Sequence, residues 1–118
     1  MDPARASMTA LGAAYRRAYH DAHDTPKVFE DSCAALFVSP DEATAIEDGF
    51  IHILTRARPH LVVPGDRAAT LAQAIRTDTG TPLVLGRARY NEDLLQTAIP
   101  SGVTPYVMVC AGLYTFAL

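Results

Sequence analysis

Apolar positions recur at helical spacing along most of this chain. Leu11, Ala14, Tyr15, Ala18, Tyr19 and Ala22 share one face of a helix predicted from Pro3 to about His23, with Arg16 and Arg17 outside the stripe. Asp24, Thr25 and Pro26 end it. Lys27 to Phe29 reads as a short extended link, and Asp31 suits the cap of a brief helix carrying Ala34, Ala35 and Phe37. The next start is marked three ways. Ser39 is a good N-cap, Pro40 fits the first helical position, and Glu42 lies three residues after Ser39, which makes a capping box. This helix is predicted to run to about Arg58 and to bury Ala43, Ile46, Phe50, Ile53, Leu54 and Ala57. Arg56 and Arg58 suit the negative pole of its dipole, and Pro59 stops it.

Residues 59–65 read as a loop. Asp66 then caps a helix with Ala68, Leu71, Ala72 and Ile75 inward, and Gly80 suits its C′ position. Thr81 and Pro82 open a last helix to about Ile99, with apolar positions Leu83, Val84, Tyr90, Leu94, Leu95 and Ala98. Gly86 weakens its middle by about 1 kcal/mol relative to Ala. Pro100, Ser101 and Gly102 break the pattern. Tyr106, Val107, Met108, Val109 and Cys110 form a short, wholly apolar run of the kind a buried strand makes.

The expected fold is mainly α, one domain over residues 1–118. Residues 1–99 supply the helices, and residues 103–118 a single strand and a turn. A lone strand leaves backbone donors and acceptors open on both edges. A second copy of the chain, or a different polypeptide, is expected to complete it.

Composition narrows the partners. The 118 residues suit one domain. Hydrophobic residues are 49%, enough for a folded core, though much of that share is Ala, which thins it. A net charge of −3 argues against a nucleic-acid partner. No apolar run reaches the roughly 18 residues of a membrane span. No apolar stretch follows the opening residues, so no secretory leader is expected. Cys33 and Cys110 make no disulfide framework and read as small apolar residues, and the cytoplasm is the expected compartment.

The C-terminal third carries a resemblance. Arg87, Ala88, Arg89, Tyr90, Asn91, Glu92, Asp93, Leu94 and Leu95 precede Gly102 and Val103, and then Tyr106, Val107, Met108, Val109, Cys110, Ala111, Gly112, Leu113, Tyr114, Thr115, Phe116 and Ala117. These blocks resemble the class I S-adenosylmethionine-dependent methyltransferases of the leucine carboxyl methyltransferase type. There an Arg-x-Arg-Tyr/Phe-x-x-Asp helix leads into a strand ending Gly-Ala-Gly-Leu-Asp-Thr. Thr9, Ala10, Arg17, Ala18, His20, Pro26, Val28, Phe29, Asp31, Ala34 and Leu36 match the family's N-terminal lead-in. Two motif positions depart: Cys110 stands at the first glycine and Tyr114 at the acidic residue, while Gly112 is retained. The resemblance implies a helical lid and the first strand of a doubly wound sheet. A family chain continues beyond this point, and a sheet needs more than one strand, so a truncated methyltransferase is the expectation.

The resemblance assigns Arg87 to the cofactor carboxylate and places Arg89, Cys110, Gly112 and Tyr114 along the cofactor motif. Arginine suits that task because its planar fork binds a carboxylate at two points. If the family's pocket persists, Arg87 is a partly buried cation. The alternative is a pair of solvated arginines bonded to Glu92 or Asp93 at helical spacing. His20 and Tyr19 are the candidates for catalytic chemistry. His20, His23, Asp21 and Asp24 cluster at a helix end, with His20 and Asp24 four apart; a solvated helix end explains them as well. Tyr15 and Tyr19 read as core residues or as one wall of a ligand pocket. No metal is assigned.

Three functions follow. The preferred one is a truncated methyltransferase-like protein that does not methylate on its own and keeps a small-molecule pocket, reused for binding or another reaction in specialised metabolism. It needs no cofactor as an isolated chain and forms a homodimer. The alternative is the N-terminal part, or a subunit, of a genuine S-adenosylmethionine-dependent O-methyltransferase. The last is a structural or regulatory dimerisation remnant. Whether the chain is an enzyme at all is left open.

Overall fold

The computed structural model describes residues 6–104 together with 107, 113 and 115. Four α-helices follow one another there: α1 over Met8–His23, α2 over Pro40–Ala57, α3 over Arg67–Thr77 and α4 over Gly80–Ala98. Short 3-10 turns lie at Ala34–Phe37 and Pro59–Leu61. None of these helices is long and apolar enough to cross a membrane.

The starts follow side-chain chemistry. Ser7 holds an extended backbone and its hydroxyl accepts the Ala10 N–H at 3.1 Å, so α1 begins at Met8 rather than at Pro3. The predicted capping box is present. The Ser39 hydroxyl accepts from the Glu42 N–H, and the Glu42 carboxylate accepts from the Ser39 N–H. Asp66 caps α3 by accepting the Ala69 N–H at 2.9 Å.

Gly80 opens α4 instead of closing α3. Asp78 is the C-cap of α3, and its carboxylate also takes the Thr81 hydroxyl at 2.9 Å and the Arg16 Nε at 2.8 Å. The chain therefore turns sharply at 78–79. A Cβ on Gly80 would sit 3.1 Å from both Arg16 Nη2 and Asp78 Oδ2, a close approach that glycine relieves.

Helices α1, α2 and α3 share the main core of Leu11, Tyr15, Ile46, Phe50, Leu54, Leu71, Ala74 and Ile75. A second cluster joins Phe29 to Leu85 and Ala88 and seats α4 near α1. Here the expected register of α4 is corrected. It buries Thr81, Leu85 and Ala88, whereas Leu83, Tyr90 and Leu94 are exposed. Leu85 and Ala88 pack on Phe29, and Leu83, Tyr90 and Leu94 are left on the outer face. Ile53, Ala57 and Ala68 are likewise exposed rather than inward, and Ala22 is exposed at the end of α1. Arg17 moves the other way and is 6% exposed.

Among the described residues there is no strand. Val107 has irregular backbone and is 75% exposed. Tyr106, Met108, Val109 and Cys110, the rest of the predicted strand, lie outside the described residues, as do Gly112 and Tyr114. The mainly α expectation stands on four helices; the terminal strand does not form part of the described fold.

Candidate functional site

Polar side chains of α1 gather against the segment that follows it. Arg17, His20, Asp21 and Asp24 recur at spacings of three and four, so they line one side of the helix end. The chain leaves α1 at Asp24, turns back through a cis Thr25–Pro26 bond, and passes His20 again. There the Val28 N–H donates to His20 Nε2 at 2.9 Å. An acceptor nitrogen carries no proton, so His20 Nδ1–H is the donor to Asp24 Oδ2 at 2.6 Å. His20 is 5% exposed, and both of its ring nitrogens are occupied in this geometry. Phe29 then plugs into the second core and fixes the return path.

Two residues later Asp31 meets α1. Its N–H donates to Asp21 Oδ1 at 3.2 Å, and its Oδ2 accepts Arg17 Nε at 2.8 Å. The side chains of this pair are 7% and 2% exposed. Asp31 Oδ1 accepts the Ala34 N–H at 3.0 Å and opens the 3-10 turn. The network reaches the C-terminal segment. Thr115 Oγ1 donates to Asp31 Oδ2 at 2.7 Å, and Arg17 Nη2 donates to the Leu113 carbonyl. Asp21 is bonded to Lys27 at 3.0 Å, which holds its carboxyl below the usual range. Glu92 on α4 is pushed up by burial and by the nearby Asp31 charge.

Asp31 makes the cap its sequence position suggests, through the Ala34 N–H, but its bonds to Arg17 and Thr115 have no counterpart in the sequence pattern. The available signal was local. Arg17 sits between Ala14 and Ala18, at the margin of the apolar stripe, where an arginine is buried only with a partner.

The other candidates are spread out. Tyr19 stacks on His23 with ring centroids 4.2 Å apart, and His23 Nδ1 lies 3.0 Å from the Tyr19 carbonyl. Burial raises the Tyr19 hydroxyl pKa. Tyr15 is a core residue whose hydroxyl donates to Glu47 at 2.9 Å; burial, then that bond, raise its pKa strongly. Arg89 is exposed and bonds both Asp93 oxygens, at 2.9 and 3.0 Å. Arg87 is exposed rather than partly buried, and it makes no ion pair among the described residues. Cys110, Gly112 and Tyr114 lie outside those residues. Cys33 is free and half-buried. Among the described residues no three His, Cys, Asp or Glu side chains are placed to hold a metal ion.

A cleft of about 230 Å³ lies between the ends of α2 and α3. Phe50, Ile53, Leu54, Ala57 and Ala74 form its apolar lining, with Thr77, Asp78 and Arg58 at its polar side. The Arg16 guanidinium stacks on Phe50, 4.8 Å from the ring centroid, and bonds Asp78. Arg87 is not among the lining residues.

A family model described as leucine carboxyl methyltransferase matches residues 10–118. YktD of Bacillus subtilis (strain 168), named as a candidate S-adenosyl-L-methionine-dependent methyltransferase, is 30% identical over 112 residues. That alignment covers 93% of this chain and 36% of YktD. The chain thus spans about a third of the length of the curated relative it matches. No solved structure matches it.

Proposed function

Because this chain belongs to the leucine carboxyl methyltransferase family, we propose that it is the helical N-terminal part of an S-adenosylmethionine-dependent methyltransferase. It works once further polypeptide supplies the remaining sheet. The observation that carries the reading is the outer face of α4. Leu83, Tyr90 and Leu94 stand exposed in one row, and Arg87 lies within it without an ion pair among the described residues. A row of this kind fits a helix awaiting its cover. A second polypeptide or a second copy of the chain would supply that cover if the sheet is not continuous with it.

The residues present fit the cofactor's polar end. Arg87 has its guanidinium free for a carboxylate, whereas Arg89 is tied to Asp93. Arg87 is therefore the residue assigned to the cofactor's carboxylate, with Arg89, Cys110, Gly112 and Tyr114 along the motif that follows. When bound, S-adenosylmethionine supplies an electrophilic methyl group. His20 and Tyr19 are the side chains of this chain proposed nearest the chemistry. In the described geometry His20 orients Asp24 and the Val28 backbone and has no nitrogen left over for a substrate.

Titration calorimetry with S-adenosylmethionine tests the reading. The full natural polypeptide, with whatever partner completes it, should bind with a dissociation constant in the micromolar range, about −8 kcal/mol. The 118 residues by themselves should bind weakly or not at all. No binding by the completed protein overturns the proposal. One observation favours a second reading, a small-molecule binder of specialised metabolism that does not methylate: the cleft between α2 and α3 is mostly apolar with a few polar groups at one side. That reading requires ligand binding that survives in the isolated 118 residues.

A further inference from the structure

We propose that the buried Arg17–Asp31 pair is a clamp that holds Leu113 and Thr115 against α1, and that the two residues are thereby positioning residues for the C-terminal segment. The proposal rests on the methyltransferase reading only for what the clamp serves. The clamp itself rests on four hydrogen bonds.

Asp31 is fully engaged. One oxygen accepts from the Ala34 N–H, and the other accepts from both Arg17 Nε and Thr115 Oγ1. Arg17 spans from that carboxylate to the Leu113 carbonyl through Nη2. The two charges are almost completely removed from water. Such a pair gains little net stability, because desolvating both ions offsets most of their attraction. What a buried, fully bonded pair does supply is geometry, since each partner accepts few alternative arrangements. The contacts are also far apart in sequence, 96 residues for Arg17 to Leu113 and 84 for Asp31 to Thr115. They link the N-terminal helix to the segment that the family resemblance places at the cofactor. Both Asp31 oxygens are engaged and the pair is shut away from water, so the effect of the two residues on chemistry would be indirect.

The mildest test is Thr115→Val, which removes one hydroxyl and keeps the side-chain shape. Asp31→Asn is the stronger variant, and the double variant closes a cycle. Hydrogen exchange at the Leu113 and Thr115 amides reads the clamp without any ligand. Thr115→Val should speed that exchange by about tenfold or more, as expected for a hydrogen bond to a charged group, while amides of the α2–α3 core are unchanged. Asp31→Asn should do the same, and the double variant should add little to either single one. Unchanged exchange at both amides in Thr115→Val overturns the clamp, as does a double variant whose effects multiply.

The second readout is the S-adenosylmethionine dissociation constant of the completed protein. Thr115→Val should raise it about tenfold and leave kcat at saturating cofactor near the wild-type value. Unchanged cofactor affinity, with faster exchange, overturns the positioning role and leaves a purely structural tie. A wild-type protein that binds no cofactor overturns the methyltransferase reading, and the exchange data then decide the clamp alone.

Discussion

Buried polar groups at the end of α1 are satisfied by a segment only a few residues downstream. His20 illustrates this: one nitrogen receives the Val28 N–H and the other donates to Asp24. Its replacement by Ala removes both bonds and leaves the Val28 N–H without its acceptor. His20→Ala should cost about 2 kcal/mol of stability, measured by urea unfolding. A loss within about 0.5 kcal/mol would place His20 outside the structural framework. Asp78 supports a pH prediction. Burial pushes its carboxyl up, but the bonds from Arg16 and Thr81 outweigh that, and the net shift is downward. A folded-state pKa below the unfolded one stabilises the protein above the ordinary carboxylate range, and the gain is lost as pH falls through the folded value. Asp78→Asn should therefore be less stable than wild type at pH 7. The gap should close as the pH drops below about 4. Thermal melts of the two proteins across that range would show whether it does.

Helix α4 is the element whose tertiary placement overrides its sequence pattern. Its apolar residues suggest an inward row through Leu83, Tyr90 and Leu94, yet it buries Thr81, Leu85 and Ala88. The side carrying Leu85 and Ala88 meets Phe29, and that contact decides which face is buried. Gly86 lies mid-helix and exposed, and a Cβ there would meet nothing within 4 Å. Gly86→Ala should raise the stability of the 118-residue chain by about 0.5–1 kcal/mol. A melting temperature that falls in the isolated chain would mean that α4 is covered at Gly86 even there.

At the scale of the whole molecule the shape is elongated. The radius of gyration is 16.0 Å, with extents of 54 × 36 × 22 Å. A compact chain of this length would have a radius of about 13–14 Å. Exposed Leu83, Tyr90, Leu94, Ile99, Val103 and Val107 lie toward the C-terminal part of the chain. Together these features predict association. Light scattering at micromolar concentration should give at least twice the chain mass. A stable, soluble monomer under those conditions would count against both the expected dimer and the exposed α4 row as an interface.

Local chemistry was legible from residue order alone. Ser39, Pro40 and Glu42 marked the start of α2, and Asp66 the start of α3, because a cap is made by side chains within three residues of the N–H groups they satisfy. The centres of the α1 and α2 faces, Leu11, Tyr15, Ile46, Phe50 and Leu54, followed from the 3.6-residue period, whereas Ala22, Ile53 and Ala57 at their edges are exposed. The family followed from the motif blocks around Arg87 and Val107. Ser7 sits three residues before the N–H it caps, so the true start of α1 is also encoded locally. Tertiary structure alone decided the burial of Arg17, the seating of α4 and the role of Gly80. Arg17 looked solvent-facing until Asp31, 14 residues later, and Leu113, 96 residues later, came to it. Gly80 read as the close of one helix until Arg16, brought in by α1, filled the space where its side chain would stand. Periodicity reports which residues share a face. Which face meets a partner depends on contacts between residues far apart in the chain, and no local pattern encodes those.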